Sequence, residues 1–234
     1  MTELSFYIDD HALLFAWLAK AVMQKEPDKG PGLVEDWVSW YGRERGARSA
    51  RRCIHDRQPL SVANYFVYSE WNDERGWNRN KVMSFAPYSF HTTECGWNKS
   101  WKEHNVLEYG QLYCRWVDYA LVEGFNPELR LEMDGTLSGG AGQCVFFWPD
   151  QAFSAEELQE ITARRAELCP RVTRDFLYHL AHLYDALRRV LIPRLGVGVA
   201  SAIMEQGVRD YGVVFGQDKV KALLKARKQS FSML

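Results

Sequence analysis

Cys114 and Asp118 stand four residues apart in a stretch of helical periodicity, so their side chains stack on one side of a single helix. A thiol beside a carboxylate can serve nucleophilic or general acid–base chemistry when the pair is partly desolvated. On a helical wheel Cys114 lies at the edge of the apolar face and Asp118 just beyond it, at the polar border. There a side chain is shielded and can still meet a substrate; the same spacing also fits a small core cysteine beside a surface aspartate. Cys144 follows the glycine-rich Ser138-Gly-Gly-Ala-Gly142 and opens an apolar run, a place where backbone can come close to a ligand. Cys95 sits in Glu94-Cys-Gly-Trp97, where a strand gives way to a turn, and a thiol at a helix N-terminus is the more acidic for it. Cys53 and Cys169 have no acidic or histidine companion at telling spacing and read as structural.

Two further constellations stand out. Arg43, Arg45, Arg48, Arg51, Arg52 and Arg57 crowd one helical stretch, with Arg45, Arg48 and Arg52 on one face. One or two of them could clamp a carboxylate bidentately, while most fit a solvated basic face paired with Glu44 and Asp56. Asp175, His179 and His182 share a flank of a later helix, which fits two surface histidines near a carboxylate better than a metal or acid–base site. His91, Cys95, Cys114, Asp118 and Cys144 include ligand types for zinc, but their spacing matches no closed zinc motif. No cofactor is expected, and zinc is not favoured.

The elements that must position these groups follow from periodicity. Helices are expected over 9–25 and 33–56, the second tolerating Gly42 and Gly46. Val62 to Tyr68 and Lys81 to Phe90 read as strands, joined by the loop Asn72 to Asn80. A Trp-rich helical turn is expected over 96–104. Over 106–123 an amphipathic helix is stopped by Gly124 and Pro127. Two strands, 129–137 and 143–148, flank the glycine-rich turn. Ser154, with Glu157 reaching back, starts a helix that ends before Pro170, and helices over 171–192 and 197–227 follow. The layout is α+β: one domain over 1–234, helices packed on a small antiparallel sheet of about four strands. Its parts are N-terminal helices 9–56, a strand/helix core 62–149 and C-terminal helices 154–227.

Composition narrows the function classes. The chain has 234 residues, long enough to bury a core without staples. Lys+Arg 29 against Asp+Glu 30 leaves a net charge of -1, so no basic excess points to nucleic acid. No apolar run reaches the roughly 18 residues of a membrane span, and Met1 to Asp10 lacks the basic and apolar regions of a secretory signal. Five cysteines, an odd number without a CxxC pair, fit free thiols in a reducing, cytoplasmic setting. With 9 Trp, 11 Tyr and 12 Phe there is ample aromatic surface to line a pocket for a flat small molecule. A small-molecule substrate is therefore expected, with neither nucleic acid nor membrane as partner; the sequence permits a homo-oligomer.

Three stretches resemble one family. They are Trp40-Tyr-Gly-Arg-Glu-Arg-Gly-Ala-Arg-Ser-Ala-Arg51, Tyr109-Gly-Gln-Leu-Tyr-Cys-Arg-Trp-Val-Asp-Tyr-Ala-Leu121 running into Gly124-Phe-Asn-Pro-Glu-Leu129, and the glycine-rich turn closing on Cys144-Val-Phe-Phe. Together they are similar to the L-2-amino-thiazoline-4-carboxylic acid hydrolases, over about 40 to 220. Cys114, Asp118 and Cys144 match the family's pattern, whereas Cys95-Gly-Trp97 departs from its Cys-Pro-Trp.

The resemblance implies hydrolytic opening of a thiazoline ring, by attack on an sp2 carbon flanked by nitrogen and sulfur. It implies that Cys114 or Cys144 attacks or positions the attacking water, with Asp118 as general acid/base and Cys95 a less secure member. Arg45 or Arg48 would hold the substrate carboxylate, and Trp97, Trp101, Tyr113 and Trp116 would wall the pocket. A tailoring enzyme acting on another small heterocycle or cyclic imine, and a non-catalytic small-molecule carrier, stay open beside it.

Overall fold

The computed structural model describes residues 4–73 and 75–231. In chain order the elements are α1 (Ile8–Lys25), α2 (Gly30–His55), α3 (Val62–Val67), β1 (Arg79–Phe85), β2 (Tyr88–Glu94), α4 (Gly96–Glu103), α5 (Leu107–Phe125), β3 (Glu132–Asp134), β4 (Cys144–Trp148), α6 (Ala155–Val172), α7 (Phe176–Phe215) and α8 (Gln217–Ala226). Helices dominate, and the four strands form one antiparallel sheet in the order β1-β2-β4-β3. The α+β class holds. Among the described residues no helix is long and apolar enough to cross a membrane.

Two local expectations fail, each for a readable reason. Val62 to Tyr68 is a helix, not a strand. Ser61 caps its first turn by accepting the Asn64 N–H at 3.4 Å, and the Asn64 amide donates to the Pro59 carbonyl at 2.8 Å. These local bonds outweigh the β preference of the aromatic and branched residues that follow. The run Lys81 to Phe90 is not one strand but a hairpin folded at Ala86 and Pro87, so Asn72 to Asn80 leads into β1 rather than joining two strands. Pro87 cannot donate to a ladder and marks the turn. At the C-terminal end, α6 runs through Pro170 to Val172 after the expected capping box, in which Glu157 accepts the Ser154 N–H at 2.7 Å. α7 continues to Phe215 with a break at Gly196 (φ 76°), and α8 is separate.

Contacts group the chain into two compact units. One comprises the residues up to Tyr41, Gly96–Trp116 and Asp175–Phe231; the other comprises Gly42–Cys95 and Val117–Arg174. The boundaries fall inside α2 and α5. The first unit is helical. α1 is buried nearly all round, from Ala12 to Ala19, and packs on α7 and α4. Asp10, fully buried, accepts from Tyr211 Oη at 2.7 Å and from Lys219 Nζ at 2.7 Å, fastening α1 to α7 and α8.

The second unit holds the sheet. Tyr88 and Trp148 on the sheet pack with Val62 of α3, Val122 of α5, Leu131 and Phe153, and α6 adds Leu158 and Ile161. Phe90 and Phe146 pair across β2 and β4 with their rings stacked at 4.6 Å. β4, which begins at Cys144, is an inner strand; β1 is an outer one, with Val82, Met83 and Phe85 exposed.

Candidate functional site

In the sheet-bearing unit, α2 and α5 meet backbone to backbone. A Cβ added at Gly46 would lie 2.1 Å from the Leu121 carbonyl oxygen, and one at Gly124 would lie 2.2 Å from that of Arg43. Only glycine permits this approach, which gives a packing reason for a residue the helix otherwise tolerates at a cost. It carries Arg45 of α2 into the field of Asp118 of α5. α3 contributes Tyr65 to the same field, and β4 contributes Cys144.

Asp118 is the most perturbed acid of this group. Desolvation by the surrounding protein pushes its carboxyl up to about 6, and the Arg45 guanidinium opposes part of that rise. Asp118 is nevertheless partly exposed. Among the described residues none donates a hydrogen bond to this carboxylate. Tyr65 is also partly exposed, and its hydroxyl is raised by desolvation and by the Asp118 charge. The Tyr65 ring lies 5.6 Å from that of Trp148, whose buried indole N–H has no acceptor among the described residues. A carboxylate, a phenol and a guanidinium thus share one electrostatic neighbourhood.

The Cys144 thiol is held protonated. Burial pushes Cys144 up to about 11, against the Leu137 N–H donated to its sulfur at 3.3 Å, and the charges of Cys95 and Asp118 add to the rise. Cys95 ends β2's connection and immediately precedes α4. Asp118, Cys144, Cys95 and Arg45 are therefore brought together within this unit. Cys53, buried against the carbonyls of Gln58 and Pro59, is pushed up to about 11 by burial. Among the described residues no cysteine is in a disulfide and no three His, Cys, Asp or Glu side chains gather as a metal-binding group.

The arginines correct one expectation. Arg45, Arg48 and Arg52 are buried rather than solvated, and all three pair with Glu70. Arg48 grips Glu70 with two bonds, Nε to Oε1 at 3.0 Å and Nη2 to Oε2 at 2.9 Å, and Arg52 adds a third at 2.8 Å. Arg45 Nε stands 3.7 Å from Glu70 Oε2, and its guanidinium lies 3.9 Å from the centre of the Trp71 ring. The 0–1% exposure of Arg45 and Arg48 sets them as internal charges, not as surface clamps.

The remaining expected residues belong to the helical unit. Trp101 is core, its indole N–H donated to the Ala12 carbonyl at 2.8 Å, rather than a pocket wall. Trp97 donates to His11 Nδ1 at 3.1 Å, which places the His11 proton on Nε2, 3.1 Å from Tyr41 Oη. Tyr113 packs edge-on to His11 at 5.6 Å. Cys114 and Trp116 are partly buried on α5, Cys114 one turn before Asp118. His179 and His182 are fully buried, contrary to the surface reading, and Asp175 caps α7 by accepting the Tyr178 N–H at 2.7 Å. Aromatic neighbours cover His182: the rings of Tyr41 and Phe231 lie 4.7 and 5.1 Å from it.

Sequence reasoning missed Tyr65 and Glu70. Tyr65 was hidden by reading α3 as a strand. Glu70 carries no spacing signal, although a lone acid after so arginine-rich a helix was a usable hint.

A family model described as L-2-amino-thiazoline-4-carboxylic acid hydrolase matches residues 8–148. The match spans α1 to the end of β4 and includes Arg45, Tyr65, Glu70, Cys95, Cys114, Asp118 and Cys144. It begins earlier than the expected 40 and stops short of 220, leaving α6 to α8 outside. Comparison with curated proteins and with solved structures gives no match. With more than half of its length matched, the chain belongs to the L-2-amino-thiazoline-4-carboxylic acid hydrolase family.

Proposed function

We propose that this protein is a hydrolase that opens a small carboxylated heterocycle at its amidine-like C=N carbon, with Asp118 as general acid/base. The observation that carries the reading is the Asp118 carboxylate itself: partly exposed, without a hydrogen-bond donor among the described residues, and raised to about 6. A base with that value is ionised at neutral pH yet basic enough to take a proton from water. Water, not Cys144, is the nucleophile, because a thiol held near 11 supplies little thiolate at neutral pH.

The steps balance without a cofactor. Asp118 removes a proton from water as its oxygen bonds to the ring carbon, and the C=N π electrons move to nitrogen. The protonated carboxyl returns that proton to the nitrogen. Collapse of the tetrahedral carbon then breaks the C–N bond, its hydroxyl proton passing through Asp118 to the leaving amine, so one water is added overall. Tyr65 donates to the developing charge. Cys144 and Cys95 line the carboxylate's surroundings, and Cys114 lies a turn earlier on α5.

The test is ring opening of 2-aminothiazoline-4-carboxylate, followed as the mass gain of one water. Asp118→Asn is expected to lose about 10²–10⁴-fold in kcat/KM. The wild-type rate should fall as pH drops through about 6, where Asp118 takes up its proton. Cys144→Ser and Cys114→Ser should retain turnover. Full activity in Asp118→Asn, or binding without turnover, overturns the reading, and loss in either serine variant restores a thiol nucleophile.

A second reading keeps the chemistry and changes the substrate to another small heterocycle or cyclic imine in a biosynthetic pathway. It is favoured by the burial of Arg45 and Arg48, the side chains expected to hold a carboxylate. Comparing turnover of the thiazoline with and without its carboxylate separates the two.

A further inference from the structure

We propose that Phe231 is a displaceable plug in an aromatic slot of the helical unit, and that the slot takes the flat, neutral, phenyl-sized ring of a small molecule when the tail swings out.

The slot is built on one face of α7. Tyr178 and His182 are four residues apart, so their side chains leave successive turns on the same face. Asp175 fixes that end of the helix by accepting the Tyr178 N–H at 2.7 Å. The His182 ring lies nearly flat against Phe231, with centroids 5.1 Å and planes 25° apart. The Tyr178 ring meets Phe231 edge-on, at 5.3 Å and 67°. His182 is itself packed by Tyr41 at 4.7 Å and by Tyr178 at 6.4 Å. One wall offers a face and the other an edge, the two arrangements that aromatic pairs prefer, so the slot recognises a flat ring by shape. The hydrocarbon ring of Phe231 fills it without a polar atom, so the slot asks for no charge.

The plug hangs on a short arm. α8 ends at Ala226, and Arg227, Lys228, Gln229 and Ser230 are exposed before the fully buried Phe231. α8 has fastenings of its own: Lys219 Nζ donates to Asp10 at 2.7 Å, Arg227 donates to Tyr184 Oη at 3.0 Å, and Val220 and Leu223 are buried. The tail beyond Arg227 can therefore leave while α8 stays docked, a local opening rather than unfolding. Re-exposing one phenyl ring sets the cost, which favours the closed slot about 10- to 100-fold. A ring arriving from solution competes with the plug and loses that factor in apparent affinity.

Toluene, the Phe231 side chain as a free molecule, is the probe. Calorimetry should show Phe231→Ala binding one toluene about 10- to 100-fold more tightly than wild type, and His182→Ala in the Phe231→Ala background losing that gain. In the full chain carrying 4-fluorophenylalanine at position 231, toluene should move the fluorine NMR signal to that of a solvent-exposed ring. Equal toluene affinity in wild type and Phe231→Ala, or none in either, overturns the proposal. So does binding to Phe231→Ala alone, with a fluorine signal in the full chain that saturating toluene never moves; Phe231 is then a fixed part of the core. Should Phe231→Ala fail to fold, the fluorine titration decides alone. Both measurements read binding, not turnover, so they stand apart from the ring-opening reaction.

Discussion

Asp118 binds its proton more tightly in the folded chain than in the unfolded one, and this has a cost in stability that can be measured. Its folded value of about 6 lies above the ordinary 3.8, so its ionisation opposes folding above about 6 and has no effect below about 4. Asp118→Asn should therefore stabilise the fold by about 1–2 kcal/mol at pH 7, an upper range reduced for the side chain's partial exposure. Thermal unfolding at pH 7 and pH 4 checks this: the gain should be present at pH 7 and vanish at pH 4. A gain of stability with loss of turnover is the signature of a residue kept for chemistry. At this scale the sequence was readable where a pair shares one helix face: Asp118 stood out at the border of the apolar stripe. Tyr65 and Glu70 were not readable, because their roles depend on which segments fold back onto α2 and α5. The burial of Arg45, Arg48 and Arg52 was hidden for the same reason, since a basic helix face looks solvated until its acid arrives from elsewhere.

Among the elements, the crossing of α2 and α5 is what gives Arg45 and Asp118 a common field. Gly46 makes that crossing, and a side chain there collides with the Leu121 carbonyl and with backbone at Gly124 and Phe125, at 2.1, 2.8 and 2.6 Å. Backbone cannot yield as a flexible side chain does, so Gly46→Val should lower stability by about 1–3 kcal/mol or more. Urea unfolding measures the loss. Gly42 and Gly46 were visible in the sequence only as helix-weakening residues, because helix propensity is local and a backbone contact is not. The long amphipathic helices and the Ser154 capping box were legible, since periodicity and capping act over a few residues. α3 was not, because six residues are too few for periodicity to outvote composition.

For the whole molecule, the family match ends at Trp148 while the helical unit draws on Asp175–Phe231. α1 is apolar nearly all round, and its buried Asp10 finds its partners, Tyr211 and Lys219, on α7 and α8. A truncation ending after residue 150 should therefore leave α1 without its cover and Asp10 without its cation, and should not fold cooperatively. Circular dichroism on heating tests this: a sharp transition in the truncated chain would contradict it. The α+β class was legible from the alternation of element types, whereas the division of contacts into two units was not, because its boundaries run through the middles of α2 and α5 rather than through linkers. The sheet carries one further consequence. β1 has a strand neighbour on one side only, and its outer row of amide and carbonyl groups lies beside the exposed Val82, Met83 and Phe85. Such a margin is a template for a strand of another molecule. The exposed Lys81, together with the two irregularities in the β1–β2 ladder, works against that recruitment. Salt screens like charges, so high ionic strength should lower the concentration at which the protein stays dispersed.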